Sequence, residues 1–240
     1  MNKKFLALFS LSLALTTKIL PAAQNSGQKL LAELLVHDLS INEIENFKKK
    51  LEHCKNVNMI IDTNTQDTLL HYAATWGRLA FIEVLLEKKA SVNALDHKLL
   101  TPLHRAIIEN KTQCAAKLIE HGADVNLADD ESGTPLHTAA FSGLIENLQL
   151  LLKNKAYVNA VDFNNVSPLH EAAFTGNTEC IRELLAHNAD ITLKINNHKL
   201  EAHGLTALEI AQRKGYVEIV TLLRAAEEKQ SGVVETEVSN

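Results

Sequence analysis

Apolar positions along this chain follow the spacing of amphipathic helices, and the helical segments recur with a period of 33 residues. Each period opens with Thr or Ser, then Pro or Leu, then Leu and His. This motif predicts a helix start, because a hydroxyl can cap the N-terminus and proline suits the first turn. The histidines that mark the period are His71, His104, His137 and His170. One short helix pair cannot bury its own apolar face, so the pattern predicts a stack of such pairs.

Weaker patterns flank the regular part of the chain. Residues 24–61 contain helically spaced leucines, and the run over 51–58 echoes that over 119–126. We therefore predict a degenerate N-terminal capping repeat over 24–61. Residues 227–240 are polar and aperiodic, which predicts a disordered tail.

The repeated unit resembles the ankyrin repeat, whose signature joins this period to a Thr-Pro-Leu-His motif. The resemblance implies an all-α repeat solenoid in which helix-turn-helix units are joined by β-hairpin or loop fingers. Glu209 occupies the histidine column of the last unit, 39 residues after His170, so six residues are inserted within 195–204. Five repeats fill residues 62–226, at 63–95, 96–128, 129–161, 162–194 and 195–226.

The first 23 residues differ from the rest in composition. Two lysines at positions 3 and 4 precede an apolar stretch from Phe5 to Leu15, and Pro21, Ala22 and Ala23 end the segment. This layout predicts a secretory signal peptide over 1–23, cleaved after Ala22 or Ala23, and hence an exported protein, periplasmic or secreted. The alternative is an N-terminal helix that packs on the domain or anchors to a membrane. The apolar stretch is too short to span a bilayer, so we predict no membrane span in the mature chain.

Net charge argues against nucleic acid as a partner. The formal charge is -5, and loss of the signal peptide removes three lysines and no acidic residue, which leaves -8. A nucleic-acid-binding domain would be expected to present a basic face to the phosphates. We therefore predict that no nucleic acid binds.

Neither the histidines nor the cysteines form a recognisable chemical site. Neighbouring column histidines would lie about 8–10 Å apart, the spacing of packed helices, and cannot share a metal ion. His198 and His203 in the insertion could contact a metal or a partner, although a solvated loop is the simpler interpretation. Cys114 and Cys180 are two repeats apart, too far for a disulfide, and are interpreted as core residues. Without phosphate-binding or hydrolase motifs, the chain is predicted to have no catalytic, cofactor or metal site.

The resemblance implies a partner-binding surface made of the fingers and the ends of the first helices. Four of the eleven aromatic residues fall at these predicted exposed positions, and aromatic residues dominate binding hot spots. The alternative is that Phe141 and Phe174 pack between adjacent first helices. The full predicted set is Trp76, Ile108, Glu109, Phe141, Phe174 and Arg213 on the helices, with His97, Lys98, Leu100, Asp130, Glu131, Phe163, Asn164 and Val166 in the fingers.

These features predict a monomeric protein-interaction module that grips a partner protein with its concave face. An exported repeat domain without disulfides fits a destination in a reducing compartment. By analogy with ankyrin proteins of host-associated bacteria, it could be a host-directed effector. The alternative is a periplasmic protective or inhibitory protein that binds an enzyme of the same cell. An enzyme with its site in the 195–204 insertion is least favoured, because so few residues cannot build a pocket.

Overall fold

Short α-helices make up most of the structure, a computed structural model that describes residues 26–198 and 201–230. Twelve helices lie in this part of the chain. They are α1 (Ser26–Ile41), α2 (Ile44–Leu51), α3 (Leu69–Thr75), α4 (Leu79–Glu87), α5 (Pro102–Ile108), α6 (Thr112–Glu120), α7 (Pro135–Phe141), α8 (Ile145–Lys153), α9 (Pro168–Thr175), α10 (Thr178–Ala186), α11 (Ala207–Lys214) and α12 (Val217–Gln230).

The chain divides into two compact units, with the boundary between Asp124 and Val125. Each unit holds three helix pairs. In the first unit α3 packs against both α1 and α5, and α4 packs against both α2 and α6. In the second unit α9 packs against α7 and α11, and α10 packs against α8 and α12. The predicted all-α repeat fold of stacked helix pairs is therefore confirmed.

Small residues in the first helices and large ones in the second helices form the core. Ala73 and Ala74 of α3 are completely buried, which lets neighbouring first helices lie close together. Phe47 of α2 meets Phe81 of α4 edge to face, with ring centroids 4.8 Å apart, and joins the N-terminal helix pair to the next one. All three cysteines, Cys54, Cys114 and Cys180, are free. Cys114 and Cys180 are buried, as predicted.

A buried histidine joins successive repeats. The backbone N–H of Thr68 donates to Nδ1 of His71 at 3.1 Å, and Nε2 of the same ring lies 3.1 Å from the carbonyl oxygen of Leu100. A backbone N–H can only donate, so Nδ1 is the acceptor and the proton sits on Nε2. The equivalent bonds connect His137 with Thr134 and Val166. His170 bonds Ser167 in the same way, but its Nε2 lies 3.0 Å from the carbonyl oxygen of Leu193, within its own repeat. The prediction that these histidines serve the structure is confirmed, and the bond to the next repeat is an addition to it.

An asparagine after each of the helices α2, α4, α6 and α8 makes another bond between repeats. Oδ1 of Asn93 accepts the backbone N–H of Asp124 at 2.9 Å. The same contact joins Asn58 to Ser91, Asn126 to Tyr157 and Asn159 to Asp190. The Val-Asn dipeptide of the sequence therefore marks the point where one repeat is tied to the following one.

Three of the fingers between helix pairs are tight turns, each closed by an aspartate. Oδ1 of Asp96 accepts the backbone N–H groups of Lys98 at 2.7 Å and Leu100 at 2.9 Å. Asp129 and Asp162 bond in the same way to the residues two and four positions later. Within the described residues, one β-bridge, between Ile60 and Thr68, is the sole β structure. Of the two forms the resemblance implied, the fingers are loops rather than β-hairpins.

Lys89 and Lys155 follow α4 and α8 with left-handed backbone, at φ of 62° and 66°. The repeat register predicts this conformation, because Gly122, with φ of 87°, stands in the same column. The following alanine donates its N–H back to the last turn of the helix, from Ala90 to the Leu85 carbonyl at 2.9 Å. Left-handed backbone costs a residue with a Cβ about 1–2 kcal/mol.

We expect Lys89→Gly and Lys155→Gly each to raise the free energy of unfolding by about 1 kcal/mol, somewhat less than the strain because glycine also gains freedom in the unfolded chain. Urea denaturation measures this. Gly122→Lys is the matched control and should have the opposite effect. A Cβ at Gly122 would meet no atom within 4 Å, so only backbone strain opposes it. Lower urea midpoints in both glycine variants would contradict the expectation.

Two predictions concern the ends of the chain. α12 continues to Gln230, so the predicted disorder of residues 227–230 is wrong. Good helix formers such as Ala226 and Glu227 extend the last helix without needing an apolar face. Residues 231–240 and the predicted signal peptide over 1–23 lie outside the described residues. In the part that is described, no helix has the length and apolar character needed to cross a bilayer.

Candidate functional site

Backbone hydrogen bonds between neighbouring fingers hold the loop tips in place. In the first unit the N–H of His97 donates to the carbonyl oxygen of Thr65 at 2.9 Å. In the second unit the corresponding bonds run from Phe163 to Glu131 at 3.3 Å and from Asn196 to Asn164 at 2.7 Å. Side chains at the tips are therefore presented from an ordered backbone, which lowers the entropy cost of binding.

In the first unit, the predicted binding residues differ in exposure. Four of them are exposed, His97, Lys98, Ile108 and Glu109. Trp76 is half-buried, with its ring centroid 5.2 Å from that of Tyr72. Leu100 is only 9% exposed, so its predicted place on the binding surface is wrong. The turn closed by Asp96 brings residue 100 back against the helices, where its side chain is buried.

Three phenylalanines of the second unit are exposed, by 49% for Phe141, 72% for Phe163 and 45% for Phe174. Phe141 ends α7, Phe174 is in the last turn of α9, and Phe163 lies in the finger between these helices. The ammonium of Lys214 lies 4.1 Å from the ring centroid of Phe174. The alternative that Phe141 and Phe174 are packed away between first helices is wrong, because about half of each residue remains open to solvent.

The other predicted residues of the second unit divide into two groups. Asp130, Glu131 and Arg213 are exposed. Asn164 and Val166 are half-buried, because both have structural roles in a finger. The Val166 carbonyl accepts from His137, and the Asn164 carbonyl accepts from the next finger. Only part of each of these two residues is therefore open to a partner.

A depression of about 300 Å³ opens beside Phe141 in the second unit. Its volume is at the lower end of the range of small-ligand sites. The lining residues are Asp129, Glu131, Gly133, His137, Thr138, Phe141, Asp162 and Glu171. Four of them carry carboxyl groups and none is lysine or arginine, so the depression has a negative potential.

The carboxylates of this depression are not fully bonded within the chain. Asp129 uses Oδ1 for two backbone N–H groups, while its Oδ2 has no hydrogen-bond partner among the described residues. Oδ2 of Asp162 is bonded only by the side-chain amide of Asn164 at 3.2 Å. The Glu171 carboxyl makes no hydrogen bond or ion pair with any described residue. Acceptor oxygens are thus available to a ligand that donates.

Burial raises the pKa of Glu171 to about 7, and the negative charge of Asp162 adds to this effect. Near neutral pH both the protonated and the ionised form of Glu171 are therefore populated. A cation bound beside this carboxyl would favour its ionised form. Perturbed carboxyl groups of this kind are typical of functional sites, although structural networks can also produce them.

The corresponding position in the first unit carries a cation of the chain itself. Arg105 follows the column histidine of its repeat, as Thr138 and Glu171 do in theirs. Its Nη2 lies 2.6 Å from Oδ2 of Asp96 and 3.4 Å from Oδ1 of Asp67. Asp96 is almost completely buried, and the guanidinium compensates its charge.

The acidic depression was missed by sequence reasoning, which considered fingers and helix ends but not the residue after each histidine. A signal was present in that column, which reads Tyr72, Arg105, Thr138 and Glu171 and so changes from basic to acidic between repeats. The aspartates that begin each finger were missed because their role depends on the turn.

Metal ligation has no support in the described part of the chain. No group of three or more His, Cys, Asp or Glu side chains is arranged there to hold a metal ion. The rings of His198 and His203 stack with centroids 3.9 Å apart, but this pair has no third ligand of these types within the described residues.

The comparison with protein families agrees with this geometry. A family model described as Ankyrin repeats (3 copies) matches residues 16–129, 95–162 and 155–232. A search of curated proteins found no match. Ankyrin repeats are general modules for protein–protein interaction. Because the matched segments cover most of the sequence, and the helix pairs and histidine-capped first helices recur in the structure, this chain belongs to the ankyrin-repeat family.

Proposed function

We propose that this ankyrin-repeat chain binds a partner protein through Phe141, Phe163 and Phe174, which we call the aromatic surface. The observation that carries the proposal is the exposure of all three rings on neighbouring elements of the second unit. Exposed aromatic side chains raise the free energy of the unbound protein and supply a large apolar area when a partner covers them. Such residues are enriched among binding hot spots.

The surroundings of the aromatic surface support the same function. The fingers that carry Phe163 and Glu131 are joined by a backbone hydrogen bond, so the surface is formed before a partner arrives. Charged groups lie at its edge, with the Lys214 ammonium over Phe174 and the Asp130 and Glu131 carboxylates in the neighbouring finger. An apolar centre with a polar rim is the usual composition of a protein interface.

Replacing Phe141, Phe163 and Phe174 together by alanine is expected to weaken partner binding by at least about a hundredfold, since single hot-spot truncations commonly cost 2 kcal/mol or more. The free energy of unfolding should fall by no more than about 2 kcal/mol, because 45–72% of each residue is already in water. Isothermal titration calorimetry and urea denaturation measure the two effects. A large loss of stability with unchanged affinity would place the rings in the core instead.

Tyr157 offers a matched control for Phe163. Its exposure is 68%, close to that of Phe163, but it lies in the segment after α8 rather than in a finger. A photoreactive phenylalanine analogue at position 163 of the full chain should crosslink the partner in the producing cells, and the same analogue at position 157 should not. Equal crosslinking from both positions, or from neither, would contradict the proposal.

Export is a second part of the proposal and rests on the pattern of residues 1–23 alone. If the signal peptide is processed, mature protein from the producing cell begins at Ala23 or Gln24, with the first lysines removed. N-terminal sequencing of protein from the cytoplasmic, periplasmic and extracellular fractions tests this. Recovery in the medium favours an effector-like role, and recovery in the periplasm favours a protective or inhibitory protein. Unprocessed protein in the cytoplasm would contradict both.

A further inference from the structure

The internal repeat supplies a template for what the acidic depression binds. In the first unit, Oδ1 of Asp96 accepts two backbone N–H groups and Oδ2 accepts the Arg105 guanidinium at 2.6 Å. Arg105 stands nine residues after Asp96, just as Thr138 stands nine residues after Asp129 and Glu171 nine residues after Asp162. The finger aspartates of the three repeats are therefore equivalent, but only Asp96 has a cation supplied by its own repeat.

The second unit keeps the acceptors and lacks the donor. Oδ1 of Asp129 accepts the N–H groups of Glu131 and Gly133 at 2.9 and 2.8 Å, as in the template. No lysine or arginine lines the depression, and the carboxylates of Asp129, Asp162 and Glu171 make no ion pair with any described residue. Four carboxyl groups thus face one open space of about 300 Å³.

We propose that this depression receives an arginine side chain of the partner protein, in the position relative to Asp129 that Arg105 takes relative to Asp96. The inference rests on the proposed function, because it names the chemistry with which a partner enters the same surface. Phe141 lines both the aromatic surface and the depression, so one partner segment reaches both.

Arginine fits this site better than a metal ion does. Metal binding needs ligands that converge on one point, and no such group of three occurs among the described residues. A guanidinium is planar and carries five donors spread over its fork, so it can bond carboxylates that stand apart. Its face can also stack on the Phe141 ring at the rim. The observed pairing of Arg105 with both Asp67 and Asp96 shows the chain using a guanidinium in this way.

N-acetyl-arginine amide and N-acetyl-citrulline amide are the probes that separate charge from shape. Citrulline keeps the length and planarity of the side chain but is neutral. Titrated into the full chain, the arginine compound should shift the backbone amide resonances of Glu131, Gly133 and Phe163, with a dissociation constant in the millimolar range. The citrulline compound should bind at least about tenfold more weakly, because charge-assisted hydrogen bonds are lost. Equal shifts with both compounds, or no shifts with either in this range, overturn the inference.

Thr138→Arg tests the template directly by giving the second unit its own guanidinium. This variant should abolish the shifts caused by N-acetyl-arginine amide and should retain or raise the melting temperature, because its side chain fills the site. Thr221→Arg makes the same change at an exposed position of α12 and is the control that should keep binding. Glu171→Gln should weaken the arginine compound at least about threefold without occupying the site. Undiminished binding in both Thr138→Arg and Glu171→Gln overturns the inference.

Partner binding distinguishes this inference from the proposed function. If the phenylalanine variants lose the partner while Thr138→Arg and Glu171→Gln keep it, the aromatic surface stands and the arginine site is refuted. If the arginine compound binds as expected but the partner is indifferent to the phenylalanine changes, the proposed surface is refuted. If Thr138→Arg alone reduces partner affinity by at least about tenfold relative to Thr221→Arg, the inference is supported at the level of the complex.

Discussion

Acidification from pH 6.5 to 5 is expected to destabilise the folded chain by up to about 3 kcal/mol per pH unit. Burial lowers the pKa of His71, His137 and His170, partly offset by hydrogen bonds from their rings to backbone carbonyls. The unfolded chain takes up protons near the ordinary histidine pKa, whereas the folded chain takes them up only at lower pH. Each proton that the unfolded chain binds and the folded chain does not makes the free energy of unfolding fall by about 1.4 kcal/mol per unit decrease in pH.

The sign follows from the geometry of the column histidines. Because Nδ1 of each ring accepts a backbone N–H, protonation of Nδ1 would remove that bond and place two donors against each other. Stability from these histidines is therefore complete above about pH 6.5 and is lost as the pH falls below it. Glu171 opposes this trend, because its pKa is raised to about 7 in the folded chain and it holds one proton that the unfolded chain has lost. The unfolded chain therefore binds at most about two more protons than the folded chain in this pH window.

Urea denaturation at a series of pH values measures the slope. His137→Leu should lower the free energy of unfolding at pH 7.5 by about 2–4 kcal/mol, because the bonds to Thr134 and Val166 are lost and their backbone groups stay buried. The same variant should reduce the acid slope, by up to about 1.4 kcal/mol per pH unit. His53→Gln, at an exposed position, is the control. Stability that is unchanged between pH 6.5 and 5 in the unaltered chain would contradict the expectation.

The fold was predictable from the sequence because its signals repeat. A helix cap at Thr101 or Thr134 is a weak local signal, but the same signal at a fixed spacing indicates a stack whatever the strength of each copy. The left-handed backbone at Lys89 was predictable for the same reason, since Gly122 occupies its column. The helical continuation to Gln230 was not predictable in this way, because it follows the last repeat and depends on local propensity.

The candidate site was harder to predict from the sequence than the fold, because the exposure of each finger side chain depends on how its turn closes. Leu100 and Val166 belong to fingers in register, yet the aspartate-closed turn directs the last finger residue inward. Phe163, near the tip, is exposed as predicted. Glu171 could not be identified as a site residue from the sequence. Its raised pKa arises from burial and from the charge of Asp162, nine residues earlier, and both effects exist only once the finger has folded.

One column of the repeat therefore has two different uses. Where it holds Arg105, the finger aspartate is compensated within the chain, and the residue stabilises its own repeat. Where it holds Thr138 or Glu171, the aspartates keep free acceptor oxygens and the chain retains uncompensated negative charge. Uncompensated like charges lower stability, so a stabilising substitution in this column is expected to reduce binding.

Glu171→Gln is expected to raise the free energy of unfolding at pH 8 by about 2–3 kcal/mol and to change it little at pH 5. A carboxyl whose folded-state pKa is raised to about 7 stabilises the fold while protonated, and this contribution is lost as the pH rises through 7. Glutamine is neutral at every pH, so its advantage appears only where Glu171 would be ionised. Urea denaturation at pH 5 and pH 8 measures the difference.

Several charged groups face the carboxyl of Glu171 or lie on elements packed against α9. They are Asp162 on the finger of the same repeat, Asp129 and Glu131 on the preceding finger, His137 on α7, Glu179, Arg182 and Glu183 on α10, and Glu209, Arg213 and Lys214 on α11. The charge of Asp162 is the one that adds to burial in raising the pKa. Asp162→Asn should therefore reduce the pH-dependent gain from Glu171→Gln. The amide oxygen of asparagine can still accept the two backbone N–H groups of the finger, but the Asn164 side-chain amide loses its acceptor Oδ2.

Glu146→Gln removes a carboxylate from an exposed position in α8 and is the matched control, with an expected change within about 0.5 kcal/mol at both pH values. The same two variants connect stability to binding. Glu171→Gln should gain stability and lose affinity for the arginine compound at pH 8, where the unaltered chain binds it best because Glu171 is ionised. A Glu171→Gln chain that is no more stable at pH 8 than the unaltered one would contradict this expectation. It would mean that the pKa of Glu171 is not raised in the folded chain, and that the ionised carboxyl does not destabilise the fold.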